Sequence, residues 1–133
     1  MIEQIRFSEI IKKFLQDNFV EFLPSINYKD HGSFDCDLRS PTNTFSIWLA
    51  TYNSEITIGV EDPDGKTDIH THISLYEDEN STKALIQLSK MINEIREDKL
   101  VLYKDEFGDY HLTKNILEKK KESNNIFFSW NKI

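Results

Sequence analysis

The sequence predicts an α+β fold: an antiparallel sheet, a meander of about four strands plus further C-terminal strands, with two helices packed on one face. Three observations carry that prediction. An apolar stripe at helical spacing lies near the N-terminus, four segments of alternating character follow it between short turns, and a second helical stripe comes next. The 133 residues suit a single domain spanning 1–133, and nine Phe, five Tyr and two Trp supply a core.

Residues 8–23 are expected to form the first helix, with Ser8 as its cap, Ile11, Phe14, Leu15, Phe19, Phe22 and Leu23 on one face, and Pro24 as its stop. The period then changes to two. Phe34, Cys36 and Leu38 alternate with Asp35, Asp37 and Arg39, as in a half-buried strand. Ser40-Pro41-Thr42-Asn43 is a turn, residues 45–52 a second strand and residues 55–61 a third, with Ile56, Ile58 and Val60 on one face. Asp62-Pro63-Asp64-Gly65 has the strongest turn chemistry in the chain, and residues 67–76 are the fourth strand. A second helix, capped by Ser81 or Thr82 and reaching Asp98, carries Leu85, Leu88, Ile92 and Ile95. Residues 100–103 and 110–112 make a hairpin, residues 114–122 a short charged helix, and residues 126–130 a last strand.

Apolar residues must share a face, and that condition sets the hairpin registers. A two-residue Asn53-Ser54 loop pairs Tyr52 with Glu55, Ala50 with Thr57 and Trp48 with Gly59, leaving Leu49 and Ile47 opposite Ile58 and Val60 on the core side. At Asp62-Pro63-Asp64-Gly65 two registers compete. A four-residue loop pairs Ile58 with Ile69, Thr57 with His70 and Glu55 with His72. A three-residue loop, which the Pro-Asp-Gly chemistry favours, turns His70 and His72 toward the core. The first keeps Ile69, Ile73 and Leu75 inside and is the expectation. It displays Trp48, Tyr52, Glu55, Thr57, His70 and His72 on the opposite face, with the indole covering Gly59.

Two imidazoles on one side of a strand, with Glu55 across the ladder, form a candidate metal set of His70, His72 and Glu55. The competing reading is two exposed histidines with Glu55 as a cross-strand charge partner. His70 and His111 are also candidate general bases. No Gly-rich phosphate loop or Gly-x-Ser-x-Gly elbow occurs, and the acids around Pro63 read as a plain turn rather than a calcium loop. A lone cysteine excludes an internal disulfide, and Cys36 is expected to be a small buried hydrophobe. No cofactor is expected. Asn80-Ser81-Thr82 matches the glycosylation pattern, which has no meaning without secretion. Acidic and polar residues within the first six positions, and the lack of any run of ~18 apolar residues, point to the cytoplasm and away from membranes.

Charge is the sharper feature. Between Asn53 and Asn80 lie eight acidic residues (Glu55, Glu61, Asp62, Asp64, Asp68, Glu77, Asp78 and Glu79) and one basic, Lys66, so this segment carries −7, the net charge of the whole chain. Residues 112–133 hold five Lys against two Glu. Such a balance argues against direct nucleic-acid binding, which needs cations for phosphates. Ordinary surface solvation accounts for many acidic patches. The functional alternative is a patch steering a basic protein partner, such as a nuclease, with Glu61, Asp62, Asp64 and Asp68 meeting its cations and Trp48, Tyr52 and Glu55 beside them.

Trp48-x-x-Thr51, Glu55-Ile-Thr-Ile-Gly59 and Asp68-Ile-His70-Thr-His72 resemble the immunity proteins of bacterial polymorphic-toxin systems over residues 45–76. The resemblance implies a non-enzymatic protein that binds and neutralises a cognate toxin in the same cytoplasm. The alternatives are a small metal-binding module or metal-dependent enzyme using the His-x-His pair, and an accessory subunit docking on a larger complex through a sheet edge or its last strand.

Overall fold

The computed structural model describes residues 3–74, 78–122 and 124–132, and it has the α+β architecture. Helix α1 (Gln4–Asn18) is followed by a 3-10 segment (Val20–Ser25), then strands β1 (Asn27–Tyr28), β2 (Phe34–Arg39), β3 (Ser46–Ala50), β4 (Glu55–Glu61) and β5 (Ile69–Ser74). Helix α2 (Asp78–Arg96), strands β6 (Val101–Lys104) and β7 (Tyr110–Thr113), helix α3 (Ile116–Lys121) and strand β8 (Ile126–Phe128) complete it. Strands β1 to β5 form one antiparallel sheet in sequence order. The further C-terminal strands do not extend it. They make a second antiparallel sheet, ordered β7-β6-β8.

The two long helices meet the same face of the larger sheet. Phe7, Ile11 and Leu15 of α1 and Leu88, Ile92 and Ile95 of α2 join Phe34, Ile47, Leu49, Ile56, Ile58 and Val60 in one buried cluster. Leu102 of β6 and Trp130 belong to the same cluster, so the second sheet shares this core. Trp130 packs edge-on against Phe45, 5.5 Å between centroids, and its backbone N–H is taken by the Asp98 carboxylate at 2.6 Å.

Three boundaries differ from expectation for local reasons. Helix α1 starts at Gln4, so Ser8 is not a cap; it is buried inside the helix, 3.3 Å from the hydroxyl of buried Thr51. The helix ends at Asn18, whose side chain donates to the Phe14 carbonyl, and Phe19 leaves helical geometry at φ −144°. Phe19 is the junction, and Phe22 and Leu23 of the expected helical face lie in the 3-10 segment, where Pro24 is tolerated. Helix α2 begins at Asp78, so Ser81 and Thr82 lie within it rather than capping it. The expected placements of Leu75, Tyr76 and Glu77 fall outside the described residues.

The β3–β4 turn fits its two-residue prediction. Asn53 and Ser54 both take positive φ, as a tight hairpin turn of the primed kind requires. Gln4 holds that turn against α1: its side-chain amide donates to the Thr51 carbonyl at 2.7 Å and accepts from the Ser54 N–H at 2.8 Å.

Candidate functional site

The face of the five-stranded sheet opposite the helices is built by alternation. In β3 and β4, Ile47, Leu49, Ile56, Ile58 and Val60 point into the core, so Trp48, Ala50, Glu55, Thr57, Gly59 and Glu61 point outward. The expected pairings of Trp48 with Gly59, Ala50 with Thr57, Leu49 with Ile58 and Ile47 with Val60 are those observed.

The β4–β5 register is neither of the two expected. Gly59 faces His70, Thr57 faces His72, Glu55 faces Ser74 and Ile58 faces Thr71. The ladder is displaced by two residues from the four-residue expectation. The cause is Asp62. Its carbonyl accepts the Gly65 N–H at 2.9 Å, and its carboxylate accepts the N–H groups of Asp64 at 2.9 Å and Lys66 at 3.2 Å. Asp62 thus opens the turn, and Lys66 still belongs to it. An even displacement preserves the face, so His70 and His72 do lie on the side of Trp48, with Ile73 in the core.

One further strand, β2, completes the surface. β2 pairs with β3 so that Asp37 faces Trp48 and Asp35 faces Ala50. One transverse row therefore reads Asp37, Trp48, Gly59, His70, and the next reads Asp35, Ala50, Thr57, His72. Carboxylates stand on β2 and imidazoles on β5, and between them lie the Trp48 indole and the small residues Ala50, Thr57 and Gly59. The Trp48 indole lies flat on Gly59: a Cβ there would stand 2.4 Å from ring atoms Cε2 and Cζ2. Its centroid is 6.2 Å from that of His70, which in turn is 5.3 Å from His72. The indole Nε1 is buried without a hydrogen-bond partner. Beside the ring, an open depression of about 410 Å³ is walled by Asp35, Asp37, Ser25, Asn27 and Ala50.

The candidate metal residues come together as a hydrogen-bonded pair instead. His72 Nδ1 is 2.8 Å from Glu55 Oε1 and 2.9 Å from Thr57 Oγ1, while Glu55 Oε2 accepts from Ser74 at 3.0 Å. Both Glu55 oxygens are engaged. Among the described residues, no three His, Cys, Asp or Glu side chains are grouped to hold a metal ion. The contact between Glu55 and His72 is thus the cross-strand pairing of the competing reading.

The acidic patch divides. Asp62 is 4% exposed and bound up in its turn, so it does not present the outward charge expected of it. Asp64 is exposed, but its Oδ2 accepts from Tyr110 at 2.7 Å and from Lys104 at 3.1 Å, joining the turn to the second sheet. Tyr110 first, then Lys104, hold the Asp64 carboxyl below the usual carboxylate range. Glu61 and Asp68 make no ion pair among the described residues. Tyr52 stands at the hairpin tip, 72% exposed. Cys36 is buried as expected, and burial, reinforced by Asp37 and Asp35, pushes its thiol up to about 12, far from a nucleophilic thiolate.

Asp35 and Asp37 were readable as outward strand positions. Their place in the rows of Trp48 and Ala50 needed the β2–β3 register, which the Ser40-Pro41-Thr42-Asn43 turn and the shared alternation together supply. Among the described residues, no helix is long and apolar enough to cross a membrane. Compared with family models, with curated proteins and with solved structures, the chain finds no match.

Proposed function

We propose that this protein is a non-enzymatic binding protein of the cytoplasm that neutralises a toxin domain with a basic surface, using the helix-free face of its five-stranded sheet. The observation that carries the reading is the row Asp37, Trp48, Gly59, His70, in which a flat indole with an unpartnered N–H lies beside a carboxylate-walled depression. Protein interfaces concentrate their energy in such an aromatic anchor within a charged rim. The cations of the toxin meet Asp35, Asp37, Glu61 and Asp68. The resemblance of residues 45–76 to immunity proteins supports the same partner class.

The test begins with capture of a partner by the tagged protein from its native host. The captured protein, produced alone, arrests growth, and co-production of this chain restores it. The paired substitutions Asp37→Lys and Asp68→Lys slow association by about tenfold at low salt, and added salt shrinks the difference. A captured partner that is harmless alone, or an association rate indifferent to both reversals, removes this reading.

A further inference from the structure

The outer face of the second sheet holds a different kind of site. Tyr103 stands between His111 on β7 and Phe127 on β8, and the three rings form a row with centroid separations of 5.0 and 5.6 Å. Helix α3 reaches this row through one lysine: Lys120 Nζ sits 5.9 Å above the Phe127 ring. Next to it opens a cavity of about 390 Å³ lined by Tyr103, Asp105, Glu106, Phe107, Glu122 and Asn125.

The charges around this cavity are not equally satisfied. Asp105 accepts backbone N–H groups from Phe107 and Asp109 at 2.9 and 3.0 Å, and pairs with His111 Nε2 at 2.8 Å. Glu122 is held by Lys119 at 3.2 Å and by Asn125 at 3.3 Å. Glu106 is exposed and has no cationic or hydrogen-bonding partner among the described residues. Tyr103 is only 6% exposed, yet its hydroxyl makes no hydrogen bond among the described residues. Phe107 forms the lip of the cavity, 81% exposed. The walls thus offer an uncompensated carboxylate, a free phenolic oxygen and a bare aromatic face. Lys119, paired with Glu122, stands near Tyr103 and leaves Glu106 without a partner among the described residues, and Lys120 over Phe127 is a nearby internal instance of a cation on an aromatic face.

The geometry points to a binding site here for an organic cation on a methylene stem, the chemistry shared by a lysine or arginine side chain and a free polyamine. Its N–H groups are accepted by the Glu106 carboxylate and the Tyr103 hydroxyl, and its stem lies on Phe107. This site is on the other sheet and does not rest on the toxin reading.

The experiment is an NMR titration of the full ¹⁵N-labelled chain with Nα-acetyl-arginine amide, with spermidine, and with the uncharged isostere Nα-acetyl-citrulline amide. Saturable shifts are expected at the amides of residues 105–108 with the two cations and not with the isostere. Glu106→Gln, Phe107→Ala and Tyr103→Phe each weaken the apparent affinity by about two- to fivefold, the scale of one exposed charge or cation–π contact. Tighter binding of the capped arginine identifies a protein side chain as the natural ligand, and tighter binding of spermidine a free amine; either supports the site. Equal shifts from the isostere, absence of saturation, or indifference to Glu106→Gln overturns it.

Discussion

The two sheets of this protein treat their outer faces in opposite ways. The five-stranded sheet covers one face with α1 and α2 and leaves the other open, with Ala50, Thr57 and Gly59 at its centre beside the Trp48 indole. The three-stranded sheet turns Leu102 into the common core and lines its outer face with a row of three rings, with Lys120 of α3 over one of them. Small side chains on a wide sheet make a shallow, extended surface, suited to another protein. Large rings on a narrow sheet under a short helix leave a hollow, suited to one side chain or small cation. The shape of each follows from residue size at outward positions, not from strand count.

That contrast presumes that both sheets stand on one core, and Leu102 is where this breaks most sharply. It is fully buried, with Leu112 and Phe128 as its cross-strand neighbours. Leu102→Ala removes about 2–5 kcal/mol, the range for a truncated core leucine. Tryptophan fluorescence and far-UV circular dichroism should report a single shared transition at a lower denaturant midpoint. Two separated transitions would make the sheets independent units and end the comparison.

Gly59 sharpens the other half. No side chain fits between the β4 backbone and the indole of Trp48, because a Cβ would fall within 2.4 Å of the ring. Gly59→Ala must lift the indole off the sheet. The expected loss is about 1–3 kcal/mol, with a red shift of the Trp48 emission. Trp130, 4% exposed in the core, provides the unshifted reference. Unchanged stability together with unmoved emission would mean that the ring is not packed on the glycine.

How far the sequence discloses all this depends on which physical signal each feature leaves. Alternation reveals the face of a strand residue, since that is a matter of parity; His70 and His72 fell on the correct side although every one of their partners was displaced by two. The displacement came from side-chain to backbone bonds of Asp62, which local turn propensities do not weigh. The Trp48–Gly59 pairing was legible because the Asn53-Ser54 turn leaves little choice of register. Nothing in the alternation of residues 100–103 or 126–130 says which sheet they join. That is decided by tertiary packing and by the Asp98 carboxylate drawing in the backbone of Trp130. The aromatic row was within reach, since a loop of residues 105–109 sets Tyr103 opposite His111, but its third ring depends on β8 pairing with β6.

The smallest expected effect lies where the two sheets are tied at the surface. Asp64, in the β4–β5 turn, accepts from Tyr110 of β7 and Lys104 of β6. Its carboxyl is held low, first by Tyr110 and then by Lys104, so its contribution to stability is present above the ordinary carboxylate pKa of about 3.9 and is lost as pH falls through the lowered value. The Tyr110 phenol is pushed up, first by burial and then by Asp64, so its contribution is present below the ordinary phenol pKa of about 10 and is lost as pH rises above it. The tie therefore acts fully on a plateau between those limits. Asp64→Asn should lower the denaturant midpoint slightly across that plateau, and the difference from the parent should vanish toward acid as the parent's own Asp64 takes up its proton. It should also narrow toward alkali. A difference that stays constant from acid to alkali would show that the substitution acts through the turn itself rather than through the bond to the second sheet.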